Sequence, residues 1–272
     1  MGMPILGEAR RKVPEITVYF WIAMVFTSGL GETLADTLTT DWHLDVTDSI
    51  WLTADELIIA LIVQLALRSY VPAVYWLVAT LASTVATLIT DYLTNTVGMP
   101  LMAVGVALGT MLIAVFASWH LIAHTVSVDS VAAGSREILF WVAILGTFAL
   151  GALLADFLTR HVGVGYPTSA LIIGASMCGV AAVCFGTNRC QTTAFWLVCA
   201  FTRALGVTLG DFLSQDSTIG GVGLGATAAS LLLAIVVVGL IWFLTASKVD
   251  QAVSQFDKRG ATPTRLGGTA AR

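Results

Sequence analysis

Residues 19–39 read Tyr-Phe-Trp-Ile-Ala-Met-Val-Phe-Thr-Ser-Gly-Leu-Gly-Glu-Thr-Leu-Ala-Asp-Thr-Leu-Thr. An aromatic–Trp pair, Phe20-Trp21, opens an apolar run that ends fifteen residues later on an acid, Asp36, and then on Leu38 and the hydroxyl of Thr39. The pattern returns three times. Tyr75-Trp76 leads to Asp91 and Thr94, Phe140-Trp141 to Asp156 and Thr159, and Phe195-Trp196 to Asp211 and Ser214. Each acid follows a small or hydroxyl residue, and the acids are spaced by 55, 65 and 55 residues. Such internal repetition decides the architecture before any single residue does.

The surrounding composition names the solvent. Of 272 residues, 57% are hydrophobic and only 11% charged, with a mean hydropathy of +0.88. A soluble chain carries about a quarter charged residues. Apolar segments at about 16–38, 49–67, 73–93, 98–120, 137–158, 166–187, 193–213 and 221–245 are each long enough to cross, or nearly cross, a bilayer core of ~30 Å. The odd segments carry the Trp-to-Asp motif. The even ones carry small residues, including Gly105, Gly109, Gly174, Gly179 and the cluster Gly220 to Gly225, expected to let helices approach closely. The first apolar run follows Arg10, Arg11 and Lys12 but leads to no signal-peptidase pattern.

The fold expected is an all-α membrane protein of eight transmembrane helices, arranged as four two-helix parallel repeats in a pseudo-fourfold bundle. Two spans per unit insert all four units in one orientation. The chain divides into a cytoplasmic N-terminal segment at 1–13 and repeats at 14–70, 71–132, 133–190 and 191–247. A disordered cytoplasmic tail is expected at 248–272. Eleven of the thirteen Lys and Arg residues fall on one side, which places both termini in the cytoplasm and the aromatic pairs in an interfacial belt there. The location expected is the bacterial inner membrane.

Carboxylates within the spans carry the functional expectation. A helix of fifteen residues rises about 22 Å, so Asp36, Asp91, Asp156 and Asp211 lie together in the outer half of the bilayer. Glu32 stands one turn before Asp36, and Asp55 and Glu56 fall inside the second segment. Charges at this depth face an interior or a watery cavity. Like charges at close quarters either hold protons or are compensated by a cation. The candidate cation-binding or proton-coupling set is Glu32, Asp36, Asp55, Glu56, Asp91, Asp156 and Asp211. Glu32 and the four motif Asp are the candidate metal ligands. Arg203, Thr39, Thr94 and Thr159 are expected to tune the site. Arg203 pairs with a first-unit acid or expels a bound cation, and Arg160 pairs with Asp156 one turn away. The loop acids Asp41, Asp45 and Asp48 would concentrate cations at the outer mouth.

Carboxylates and hydroxyls are hard ligands, suited to Mg²⁺ or Mn²⁺ and to proton relays. The expected function is therefore transport of a hard divalent cation, Mn²⁺ or Mg²⁺, coupled to protons. The cation is substrate rather than cofactor, the lipid bilayer the surroundings, and no nucleic acid a partner. The alternative is a non-transporting scaffold or sensor in which the repeated Asp locks the units together. No nucleophile or catalytic constellation accompanies the acids, so an enzyme is not expected. Cys178, Cys184, Cys190 and Cys199 lack metal-binding spacing and read as small apolar residues.

The chain also resembles a family of small bacterial repeat-containing integral membrane proteins, described as membrane-anchored and linked to surface layers. Lys12-Val-Pro-Glu15 leading into Tyr19-Phe-Trp21 carries the resemblance, with Gly31-Glu-Thr-Leu-Ala-Asp36, Val71-Pro-Ala-Val-Tyr-Trp76 and Gly221-Val-Gly-Leu-Gly-Ala226. So does the stretch Thr147-Phe-Ala-Leu-Gly151 through Ala155-Asp156. It covers residues 12–245 and implies the eight-segment architecture, without an established activity.

Overall fold

A computed structural model describes residues 12–128, 131, 134–187 and 191–250. Eight helices run α1 Val18–Asp36, α2 Val46–Ala66, α3 Pro72–Asp91, α4 Leu101–Ala123, α5 Ser135–Asp156, α6 Tyr166–Thr187, α7 Gln191–Ser214 and α8 Ala226–Ser247. All eight are long and apolar enough to cross a membrane, and no strand occurs among the described residues. Local chemistry sets several boundaries. Thr17 caps α1 by accepting from the Phe20 amide at 3.4 Å, Asp45 caps α2 through the Thr47 amide at 2.8 Å, and Pro72 opens α3, where its missing N–H costs nothing.

The four odd helices form an inner ring. Helix α1 packs between α3 and α7, and α5 packs between the same two on the opposite corner. Between 61% and 72% of their spans is buried, against 11% to 28% for the even helices, which stand outside. The outer helices are offset by one position. Helix α2 packs on α3, α4 on α5, α6 on α7, and α8 closes the circle on α1, while the two helices of one repeat barely touch except in the fourth, where Leu209 and Leu213 of α7 meet the Leu233 cluster of α8. Each repeat is thus held by its neighbours, and the bundle is a closed fourfold chain of interlocked units.

Small residues in the inner ring, rather than in the outer helices, allow the close approach. A Cβ on Gly31 would lie 2.2 Å from Ser83 Oγ, one on Gly151 2.7 Å from the Ala200 carbonyl, and one on Gly206 2.4 Å from Ser28 Cβ. These are equivalent positions in repeats 1, 3 and 4, and repeat 2 has buried Ala86 there. The expectation for the even segments is corrected: a Cβ on Gly105, Gly109, Gly174 or Gly179 would meet nothing within 4 Å. Gly220, Gly223 and Gly225 serve a loop with positive φ (92°, 81° and 77°) rather than a packing face.

The aromatic pairs are also corrected. They do not form a lipid-facing belt. Phe20, Tyr75, Phe140 and Phe195 are buried, as are Trp76, Trp141 and Trp196. Each first aromatic meets the Trp of the next repeat: Phe20 with Trp76, Tyr75 with Trp141, Phe140 with Trp196, and Phe195 with Trp21. With the contacts inside each pair, eight rings close a cycle of centroid separations from 4.9 to 6.1 Å. Offset and edge-on contacts of this kind contribute about 0.5–1.5 kcal/mol each beyond burial. This internal girdle seals one end of the bundle, the Trp end; the motif acids mark the other, the Asp end.

Gly206→Ala should cost about 1–3 kcal/mol, because the added methyl meets backbone and Cβ atoms that cannot yield. Gly174→Ala should be neutral or stabilising by up to about 1 kcal/mol, through helix propensity alone. Thermal unfolding of the two variants in detergent checks the contrast.

Candidate functional site

Residues four apart share a helix face, and on the inner helices one such stripe turns inward in every repeat. Counting from the aromatic girdle, the first layer is Met24, Ala79, Ile144 and Cys199, each at most 1% exposed. It continues the seal. The next layer is Ser28, Ser83, Phe148 and Arg203. Arg203, with no exposed surface, donates from Nη1 to the Ser28 carbonyl at 2.7 Å and from Nη2 to the Ser83 carbonyl at 3.3 Å. Its guanidinium carbon lies 5.9 Å from the centroid of the Phe148 ring. One side chain therefore touches its three counterparts in the other repeats, which puts the guanidinium on the pseudo-fourfold axis.

The third layer is Glu32, Thr87, Ala152 and Val207. Glu32 Oε2 accepts from Arg203 Nη2 at 3.1 Å and from Thr87 Oγ1 at 2.7 Å. Thr87 Oγ1 in turn accepts from Arg203 Nη2. Glu32, Thr87 and Arg203 thus form a buried triad that plugs the axis, and the Glu32 carboxylate is committed to it.

Above the plug the four motif acids converge. Asp36 feels the charges of Glu32, Asp91 and Asp156, and Asp211 those of Glu32, Asp36 and Asp156. The chain switches from α- to π-helical turns at Thr37–Asp41, Tyr92–Thr96 and Phe157–His161, directly after three of the acids. Such turns re-aim side chains and recur at functional sites. One turn beyond each acid is a polar side chain: Thr40, Asn95, Arg160 or Gln215. Asn95 donates to Asp91 at 3.1 Å, Arg160 Nε lies 3.3 Å from Asp156, and Gln215 reaches Asp36 at 3.5 Å. Asp211, 2% exposed, keeps Oδ1 without a hydrogen-bond partner among the described residues. The Arg160 charge acts on Asp91, Asp156 and Asp211 together, and on Asp36. A cavity of about 280 Å³ adjoins the ring, lined by Thr159, Arg160, Tyr166 and Gln215.

The remaining candidates fall elsewhere. Thr39, Thr94 and Thr159 do not tune the acids through their hydroxyls; each bonds back to the carbonyl four residues earlier, of Ala35, Thr90 and Ala155, at 2.8–2.9 Å. They secure the helix where its pairing changes. Asp55 and Glu56 are exposed on the outer face of α2 and do not join the ring. Their face of α2 turns away from α3, which takes Thr53, Leu57 and Ala60 instead. Two loop acids serve as caps: Asp41 accepts from the Thr227 amide at 2.9 Å and hydroxyl at 2.6 Å at the start of α8, and Asp45 caps α2. Among the described residues no three His, Cys, Asp or Glu side chains gather closely enough to hold one metal ion. Cys178 and Cys199 are free, exposed and buried respectively, whereas Cys184 is disulfide-bonded. Cys190 and most of the expected tail, residues 251–272, lie outside the described residues.

Sequence reading missed Asn95 and Gln215 as partners, and missed the axial place of Arg203. The repeat register held both signals. Stepping eight residues back from each motif Asp gives Ser28, Ser83, Phe148 and Arg203.

Residues 139–189 and 194–249 each match the model of a repeat of unknown function, DUF347. The two matches coincide with the third and fourth inner–outer helix pairs. No curated protein and no solved structure matches the chain. The protein is thus an eight-helix, repeat-built membrane protein with a carboxylate ring at one end of a plugged axis.

Arg203→Leu should cost about 3–5 kcal/mol, since it strands the Glu32 carboxylate in a dry layer. Combining it with Glu32→Leu should cost clearly less than the sum of the single changes. A double-mutant cycle of thermal stability in detergent measures this; simple additivity would show that the pair is not coupled.

Proposed function

We propose that the protein is a membrane transporter of a hard cation, loaded from the Asp end. The observation that carries this reading is the imbalance of charge there. Glu32 and four motif Asp face only Arg160 and Arg203, and Asp211 keeps an unpartnered buried oxygen. Three negative charges in excess must be met by protons or by cations from outside the protein. Neither a folding role nor helix capping requires half-buried Asp36 and Asp91 and buried Asp211 beyond the two ion pairs.

The donor set suits Mg²⁺ or Mn²⁺, and the spacing bears on how such an ion would sit. Mg²⁺ dehydrates reluctantly and keeps several waters. Carboxylates too far apart to share one ion directly can hold it through those waters. Protons exchanged by the same acids would couple ion loading to proton movement. The aromatic girdle, the apolar layer and the Arg203–Glu32 plug lie across the axis below the ring, so an ion would load from the Asp end. With the Lys- and Arg-rich end in the cytoplasm, the ring faces outward from a bacterial inner membrane, and both termini lie inside.

A second reading is favoured by the hydrogen bonds that cross between repeats, from Thr87 and Arg203 to Glu32 and from Gln215 to Asp36: these acids knit the repeats into a scaffold that moves nothing. Purified protein in liposomes separates the two. Transport predicts Mn²⁺ or Mg²⁺ flux that is lost in Asp211→Asn while the melting temperature is kept. Absence of flux in the parent protein, together with a lowered melting temperature in Asp211→Asn, would overturn transport in favour of the scaffold.

A further inference from the structure

The Trp end holds a second ionic cluster, far from the axial plug. Residues 12–17 precede α1 and cross that end as a strap. Lys12, Val13 and Pro14 are buried, and Val13 joins the apolar cluster that contains Phe20, Tyr75, Trp119 and Trp141. The Lys12 ammonium reaches the first turn of α5, on the opposite corner of the inner ring, and donates to Glu137 Oε2 at 2.6 Å. It also donates to the Leu65 carbonyl, near the end of α2, at 3.0 Å. Gln64 Nε2 donates to the other Glu137 oxygen at 3.2 Å. Lys12 is 3% exposed and Glu137 and Gln64 1% each. Gln64 Oε1 is buried with no hydrogen-bond partner among the described residues.

The strap has a second anchor. The Glu15 amide donates to the Asp250 carbonyl at 2.8 Å, and Asp250 Oδ2 accepts from the Tyr70 hydroxyl at 2.5 Å. Burial, and then the Asp250 carboxylate, push the Tyr70 phenol well above its ordinary value, so it remains a donor. This second anchor does not involve Lys12.

We infer that Glu137, Gln64 and the Leu65 carbonyl form a monovalent-cation site, which the chain fills with its own Lys12 ammonium. The donors are a carboxylate, an amide oxygen and a backbone carbonyl, all hard oxygens of the kind that hold alkali ions or ammonium. Gln64 Oε1 is buried without a partner, and a turn of the amide would offer it to an ion. Charge fixes the class of ion. The site carries one negative charge, and exchanging one ammonium for one monovalent ion keeps a dry pocket neutral. A divalent ion would bury a net positive charge there at high cost. An ion that displaces Lys12 breaks the hold of the strap on α2 and α5 and uncovers the Trp end. The site lies at the opposite end of the bundle from the Asp ring and does not depend on it.

Two measurements on the full chain in detergent test this, with NaCl or KCl set against choline chloride at equal ionic strength. In the parent protein, backbone amides of residues 12–17 should exchange hydrogen faster in the alkali salt. In Lys12→Ala the emptied site should take the ion and raise the melting temperature by about 2–4 °C over choline. That rise should vanish in Lys12→Ala/Glu137→Gln. Asp211→Asn should leave both readouts unchanged, which separates this site from the transport reading. Equal exchange and equal melting in alkali and choline salts would overturn the inference. So would an alkali-dependent rise that survives Glu137→Gln, since the ion would then sit elsewhere.

Discussion

A guanidinium with no exposed surface sits on the pseudo-fourfold axis, and the arrangement around it supplies partners to both terminal nitrogens, leaving Nε alone without one among the described residues. In a dry layer a cation requires a paired anion and acceptors for its remaining protons. Repeats 1 and 2 supply backbone carbonyls, reachable because Ser28 and Ser83 are small. Repeat 3 supplies an aromatic face at Phe148, and repeat 1 adds the carboxylate of Glu32 one turn further on. Four units of one design thus differ where they meet. That difference specifies one order of units around the ring, and it blocks the axis at the depth where a symmetric bundle would leave a pore.

The plug also shapes what surrounds it. Below, the layer of Met24, Ala79, Ile144 and Cys199 packs dry, and the girdle beneath it buries the Trp76 and Trp141 indole N–H groups without hydrogen-bond partners among the described residues. Above, the motif acids lie toward the Asp end, where Arg160 and Arg203 act on overlapping sets of them. The chain is therefore apolar at one end of its axis and acidic at the other, with an ion pair as the partition. The Lys12 strap lies across the sealed end.

Assembly depends on contacts between repeats more than within them. The glycine at positions 31, 151 and 206 lets each inner helix press against the next. The aromatic of one repeat stacks on the Trp of the following one, and each outer helix rests on the inner helix that follows it in the chain. Helix α8 on α1 completes the circle. No unit can bury its apolar face alone, which is the general condition of repeat proteins. Here the array closes on itself, so no terminal unit is left to be capped.

The sequence by itself determined the eight spans to within a few residues, the fourfold repeat and the common level of its four acids. These are properties of composition and period: a bilayer dictates span length, and a recurring motif dictates recurring geometry. Period also shows which residues share a helix face, as with Glu32 and Asp36. It does not show whether that face turns inward. Asp55 and Glu56 have the same chemistry as Glu32 and a similar depth, yet they point outward because Thr53, Leu57 and Ala60 are the residues that fit α3. The Trp residues could have met lipid headgroups as readily as one another; packing between repeats turned them in. The sequence offered Arg203 a first-unit acid without choosing one; tertiary structure chose Glu32, 171 residues away, and it alone joined Lys12 to Glu137, 125 residues apart. A buried charge takes its partner from whatever element the fold brings beside it, and that depends on how helices distant in the chain pack together.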